Sequence, residues 1–533
     1  MSTPQADLPT ETAALPELGI LQMRVVWRDT FIVEHPPHDF LGRSRDALRA
    51  LPCTVSDSQI DERDQPDLLR IINRVSRSVA VNGHADLLRV QLQPLQIANL
   101  RPTLARWRCR PDQLTPEQIK TAAVEADAGR DWIEVTPILL LHRAGVGMVS
   151  HYAAIRAPYG EIVGSAAPSA ASAALPRGFT PDEAIELVRL GIQTQLLSLD
   201  ETWRQMIPVD APDWYFYSVI GLGPSQHLAI GGLRDLSQVV AAHVSTLDRK
   251  PRRRPRPLTA AVRPARPTGS TTVVIVGTNP PAGREIASFV QQYAAALRGI
   301  GALDNYYRER ARWIVERELG DDLSSDNESA VYLLGNSELI LFNDQLPDIA
   351  HNVRRRLGLR SDELAITYVY MHYGVLLEWV YLQDAILRSY LHRLDALAAT
   401  SPLRRREMIA TLHGALADLI QYQEDITPYA TRIEFLERAR AYHKLDKLGE
   451  RLERKQDLLL TYSSEYQDYR EASAAEFLNW LAAVLAGGEL GSLITSVAGI
   501  SPTQNTPLYL IVTLGCIALV FAVMIVLRVL RGR

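Results

Sequence analysis

Cysteine is scarce in this chain. Three occur in 533 residues, Cys53, Cys109 and Cys516, no two of them form a CxxC, and Cys516 falls inside an apolar run. At most one soluble pair is left, so neither a disulfide framework nor a structural zinc site is expected, and the count suits a reducing compartment. Basic charge is not in excess either. With a net charge of −4 the whole chain has no bias toward nucleic acid. The first nineteen residues, MSTPQADLPTETAALPELG, lack the basic and apolar regions of a secretory signal. No GxSxG, HExxH or EF-hand pattern appears, so the sequence points away from an enzyme.

One absence of charge says more than the others. From Leu508 to Leu527 the chain reads LYLIVTLGCIALVFAVMIVL, and roughly 20 apolar residues of helix cross the hydrocarbon core of a bilayer. The preceding run, Phe477 to Ile500 (FLNWLAAVLAGGELGSLITSVAGI), is long enough to span as well but carries a single acid, Glu489, near its middle. An acid at that depth costs roughly 2.5–3.5 kcal/mol on insertion scales and so belongs in a protein interior or a water-filled path. Gly487, Gly491, Thr495 and Gly499 recur every four residues, a small-residue face that lets a second helix approach. Glu489 beside that face reads as a pore or gate residue held in a helix seam. Equally, GGELG could break the run into half-helices and leave the acid near an interface.

Orientation follows from Lys and Arg. The loop SPTQNTP between the two runs is uncharged, whereas Arg451, Arg454, Lys455 and Arg470 precede the hairpin and Arg528, Arg531 and Arg533 follow it. The positive-inside rule then puts both termini in the cytoplasm of a two-span protein of the inner or plasma membrane. Upstream, no proline lies between Pro428 and Pro502, and Leu445, Leu448, Leu452, Leu459, Tyr462, Tyr466 and Tyr469 follow a 3–4 spacing broken at Lys455. The spacing predicts a heptad-like helix. Continuous from Thr431 to Ile500, it would be a stalk on the order of 100 Å long, with Gly449 as its weak point.

A long stalk helix, two C-terminal spans, a short external loop and a basic tail together resemble the CorA-type divalent-cation transporters and their divergent relatives. The family carries Gly-Met-Asn where the first span ends. Here Gly499, Ile500 and Ser501 stand at that place, with Asn505 further along the loop, so the glycine is kept and the asparagine is not. The resemblance covers about the last hundred residues. It implies a homopentamer with the first span lining the pore, Gly499, Ser501 and Asn505 at its mouth, and Mg²⁺ or another divalent cation as cargo. The missing asparagine departs from the residue that meets the hydrated ion.

The remainder reads as α+β cytosolic domains followed by a helical bundle, the stalk and the hairpin. We assign 1–17 as a disordered N-terminus, 18–247 as an α+β domain, 248–270 as a Pro/Arg-rich linker and 271–360 as a small α/β module. Residues 361–476 form the bundle and stalk, 477–528 the hairpin and 529–533 the basic tail. Strands are predicted at Ile20–Val33, Trp132–Leu141, Val146–Ile155, Trp214–Leu222 and Thr272–Val276, with a hairpin turning at Gly335-Asn336. Thr115-Pro116 and Thr180-Pro181 are helix starts. A helix runs from Ser361 to about Leu397, another from Ser401 to about Ile426. In the former, Tyr368, Tyr373, Trp379 and Tyr381 read as core or interface and Glu378 as a surface acid, with a buried functional acid as the alternative.

Sites elsewhere are sparse. Asp321, Asp322 and Asp326 share a loop (GDDLSSDNES) and could hold a hard cation, although their spacing is irregular and suits a solvated acidic loop. Gly277 to Arg284 (GTNPPAGR) lies between a strand and a helix like a phosphate loop, but has five residues between its glycines, two prolines and no Lys-Ser/Thr. His142 and His151 have no companions at diagnostic spacing. The linker's basic residues could touch anionic lipid; without interleaved aromatics they do not read as a nucleic-acid site. Two functions remain. One is an oligomeric divalent-cation channel or transporter regulated by its cytosolic domains. The other is a non-transporting, membrane-anchored effector or scaffold of a bacterial conflict system, whose N-terminal domain receives a partner or ligand.

Overall fold

The computed structural model describes residues 17–33, 39–79, 86–157, 178–207, 218–221, 226–246, 262–266, 268–324, 326–398, 430–498 and 506–531. The helix expected at Ser401 to Ile426 lies outside them. The chain forms two compact units, Met1–Arg393 with Gly414–Leu452, and Leu394–His413 with Glu453–Arg533.

Among the described residues of the first unit, thirteen strands form one sheet. They are β1 (Gly19–Val33), β2 (Thr54–Asp57), β3 (Leu87–Leu92), β4 (Leu95–Ala98), β5 (Ile133–His142), β6 (Val146–Arg156), β7 (Gln195–Asp200), β8 (Ser218–Gly221), β9 (Gln226–Gly231), β10 (Val262–Pro264), β11 (Ser270–Asn279), β12 (Ser329–Leu334) and β13 (Ser337–Phe342). The main path is β12-β13-β11-β1-β6-β5-β4-β7-β9-β8, with β10 on β1 and β2-β3 on β5. Only the β11–β13 pairing is parallel among those described. β1 holds the sheet together. Fifteen residues long, it pairs β6 along one edge and β11, then β10, along the other.

That pairing changes the expected domain plan. β1 belongs to the segment 18–247 and β11 to the segment 271–360, yet Val25 pairs Val273 and Arg28 pairs Ser270 in one ladder. The stretch 248–270 therefore does not divide the sheet, and its last residues contribute β10.

Period-two alternation gives β1 two distinct faces. Met23, Val25, Trp27 and Phe31 join one apolar core with Val149 and Ala153 of β6, Leu139 and Leu141 of β5, and Leu339 and Leu341 of β13. Helices Pro181–Arg189, Leu233–Thr246 and Ile286–Ala302 cover this face. Trp27 also donates from Nε1 to the Val188 carbonyl at 2.8 Å. Its ring comes so close to Gly191 that a Cβ there would lie 2.0 Å from it. Thr115 and Thr180 both cap their helices through reciprocal hydrogen bonds with the residue three positions on, as their sequence predicts.

Arg24 and Arg28 point the other way, and both are buried. Over that face lies the 37-residue helix Asp362–Ala398, fixed at Glu363 by Arg24 and Arg156 and at its far end by Arg393, which donates to the Ala144 carbonyl at 2.7 Å. Tyr373, Trp379 and Tyr381 are buried and Tyr368 half-buried. Tyr373 packs edge-on against Phe435 of helix Ala430–Tyr442.

The stalk is not one helix from Thr431 to Ile500. Helix Ala430–Tyr442 ends at Lys444, which takes a left-handed φ of 58°, and a 53-residue helix then runs from Leu445 to Val497. Gly449 sits inside it without breaking it. Phe435, Leu436, Ala439 and Leu445 are buried on either side of the turn, so the core requires a change of direction that no proline or glycine marks. In the second unit, Ser473–Val497 and Thr506–Val523 are long and apolar enough to cross a membrane.

Candidate functional site

The two apolar helices meet along the small-residue face. A Cβ on Gly487 would lie 2.7 Å from the Ile517 Cα, and one on Gly491 would lie 2.7 Å from the Thr513 Cα. Thr495 is 1% exposed on the same face, its hydroxyl turned back to the Gly491 carbonyl at 2.9 Å. Trp480 stacks on Phe521 with ring centroids 4.5 Å apart. The helix continues through Gly487-Gly488-Glu489-Leu490-Gly491 without interruption.

Glu489 is not in that seam. At 3.6 residues per turn it lies about 200° around the helix from Gly487, and it is exposed. An open groove brings it together with Leu485, Gly488, Ser492, Leu493 and Ser496. The small residues every four positions are thus used up by the chain's own terminal helix, and the acid faces outward with a second small and hydroxylated row beside it. Gly499, Ser501 and Asn505, the other residues expected at a pore mouth, lie outside the described residues.

The acidic loop spends its carboxylates on its own backbone. Asp322 Oδ1 accepts from the Ser324 and Val331 amides at 2.9 and 2.8 Å. Asp326 accepts from the Ser329 amide and hydroxyl, both at 2.7 Å, and from the Tyr373 hydroxyl at 3.1 Å. Asp321 is exposed. Among the described residues no group of three or more His, Cys, Asp or Glu is arranged to hold a metal ion.

Glu378 is not on the surface. It is 3% exposed, 3.1 Å from Arg89, and accepts from the Tyr152 hydroxyl at 2.7 Å. Burial and the neighbouring Glu378 push the Tyr152 phenol well above its ordinary range. Two comparable groups lie on the same face of the sheet. Arg28 donates to Thr272 at 2.5 Å, and Thr272 donates to Glu338 at 2.6 Å. Asp384 takes Arg266 and Arg388, each at 2.7 Å. Removing one member of a buried pair typically costs about 3–5 kcal/mol, so the Arg89–Glu378 and Arg266–Asp384 pairs fix where helix Asp362–Ala398 sits, while Arg28, Thr272 and Glu338 tie β1, β11 and β13 to one another. For Arg89 and Glu378 the signal in the sequence is an arginine in an apolar strand and an acid in an apolar helix.

A second polar cluster also escaped the sequence reading. His151 and Ser237 lie 2.8 Å apart, and the Ser237 hydroxyl donates to Asp29 at 3.0 Å. In a nucleophilic triad the histidine stands between serine and acid. Here the serine is in the middle, so this arrangement orients Asp29 and does not activate Ser237. Burial pulls His151 down to about 3 and His142 likewise to about 3; both rings are neutral.

No protein-family model, curated protein or solved structure matches the chain.

Proposed function

We propose that this chain is an integral membrane protein that assembles with copies of itself into a cation pathway lined by Glu489, and that its N-terminal unit, on the cytoplasmic side, controls that pathway. The observation that carries the reading is the placement of Glu489. It is exposed, about 200° around its helix from Gly487, amid apolar sequence, in a groove with Gly488, Ser492, Ser496 and, from the terminal helix, Ile517. Left in lipid, the acid would cost roughly 2.5–3.5 kcal/mol. A ring of copies turns the same face inward, where carboxylates and serine hydroxyls favour cations.

The arginines beyond the hairpin support two spans with both ends cytoplasmic. The resemblance to CorA-type transporters supports a pentamer and a divalent cation as cargo, Mg²⁺ first among them. The departure at Gly499-Ile500-Ser501 from that family's Gly-Met-Asn favours the second reading, an anchored effector whose hairpin does not conduct.

Flux of Mg²⁺, Co²⁺ and Ni²⁺ into liposomes bearing the full-length protein separates the two. The pathway reading expects divalent-selective flux that falls at least tenfold in Glu489→Gln. A well-folded oligomer that passes none of the three ions leaves the anchored effector standing.

A further inference from the structure

The first unit contains a cleft of about 120 Å³ between β1, helix Leu233–Thr246 and the turn that follows β10. Asp29 and Phe31 form its floor, Arg234, Ser237 and Gln238 one wall, and Pro264 the other. A cavity of roughly 150 Å³ accommodates benzene, so the cleft takes a group of about that size. Its apolar lining is Phe31, Pro264 and the methyl groups of Ala241 and Ala242.

The polar end of the cleft is held in place before anything binds. Ser237 is fixed from behind by His151 and donates to Asp29 Oδ2. Asp29 Oδ1 receives no hydrogen bond from the described residues. It lies against Gly269, where a Cβ would come within 2.8 Å of that oxygen and 2.7 Å of the Arg28 carbonyl; only glycine leaves the carboxylate this room.

The charges facing the cleft can be counted. Asp29 on β1 is the acid of the lining and Arg234 on the helix the base opposite it; Asp235, outside the lining, accepts from the Gly232 amide at 2.7 Å. Arg266 lines the cleft but turns its guanidinium to Asp384 and over the Tyr381 ring, and His151 is neutral.

We propose that this cleft binds a compact organic cation, a primary ammonium or guanidinium group on a short apolar stem, with the cationic head on Asp29 Oδ1 and the stem against Phe31 and Pro264. Nothing in the proposal depends on the hairpin conducting ions. The head could belong to a free small molecule or to a lysine or arginine side chain of a polypeptide. Burial raises both acids, Asp235 to about 6, so affinity should rise with pH as they ionise.

Calorimetric titration of the full chain in detergent tests this, with butylammonium and butylguanidinium as probes, 1-butanol as the uncharged control and N-acetyl-arginine amide as the polypeptide arm. The expected result is saturable one-to-one binding of a cation, at least tenfold weaker in Asp29→Asn, strengthening from pH 5 to pH 8, and lost in Gln238→Phe, which fills the cleft from its rim and leaves Asp29 in place. Binding by the arginine amide as tight as by butylguanidinium identifies a polypeptide side chain as the ligand; binding by the small cations alone identifies a free molecule. Absence of saturable binding by every cation, equal binding of 1-butanol, or an unchanged affinity in Asp29→Asn overturns the proposal. Should Asp29→Asn not fold, Gln238→Phe decides, and retained binding in that variant overturns it as well.

Discussion

Glu338 shows how a single buried acid can make stability depend on pH. It is fully enclosed on β13, paired with Thr272 of β11, and burial pushes its carboxyl up to about 7 despite the pull of Arg28 and the hydrogen bond from Thr272. The folded chain therefore holds a proton that the unfolded chain releases above the ordinary carboxylate range. Its contribution is present at low pH and is lost as pH rises toward and through 7, by roughly 3 kcal/mol in all. His142 and His151 act with the opposite sign, since their depressed values make the folded state lose stability as pH falls below the ordinary imidazole range. A comparison of Glu338→Gln with the wild type cancels the histidines. Between pH 5 and pH 8 the unfolding free energy of Glu338→Gln should gain on the wild type by about that amount, measured by urea denaturation at each pH. A difference between the two proteins that stays constant across the range contradicts the assignment. No local signal marks this group, because Ser337-Glu338-Leu339 is ordinary strand composition and its partners Arg28 and Thr272 lie far back in the chain.

Secondary-structure elements were legible where their cause is local. The strand composition of β1, the threonine caps at Thr115 and Thr180 and the two-residue turn after Leu334 are each written in a few neighbouring residues, and each appears in the fold. The break at Lys444 and the continuation of β1 into β11 were not legible. Both are decided by partners distant in the chain, the first by the packing of Phe435 and Leu445, the second by a ladder joining residues about 250 positions apart. The hairpin falls between these cases. Its small-residue face could be read from period four, but not which helix would occupy it. Since the Ile517 and Thr513 backbones leave no room for a side chain at Gly487 and Gly491, Gly491→Val should separate the pair. Gly488→Val, whose Cβ meets nothing within 4 Å, should leave the pairing intact. The readout is the melting temperature of the detergent-solubilised protein, which should fall by several degrees in Gly491→Val only. Overpacking of this kind costs about 1–3 kcal/mol, and equal melting of the two variants would show that the helices are not apposed as described.

The first unit holds an extensive, doubly covered sheet, and the second a hairpin whose Glu489 side is exposed among the described residues. On the proposed reading that surface is covered by further copies, and the two faces of helix Leu445–Val497 then have separate tasks. One, through Gly487, Gly491 and Thr495, closes the hairpin, and the other, through Gly488, Glu489, Ser492 and Ser496, joins subunits. The separation can be read by cross-linking in membranes, starting from a protein whose three cysteines are replaced by serine. Ser492→Cys lies on the subunit-facing row and should yield an oxidation-dependent dimer. Thr495→Cys, 1% exposed beneath the chain's own terminal helix, should remain monomeric under the same oxidant. Gly488→Val should suppress the Ser492→Cys dimer without lowering the melting temperature, because it alters the assembly face and not the hairpin. Equal cross-linking at positions 492 and 495 would mean that the hairpin opens in the membrane. Failure of both, in protein shown to be inserted, would leave Glu489 facing lipid at an energetic cost that the proposed assembly exists to remove.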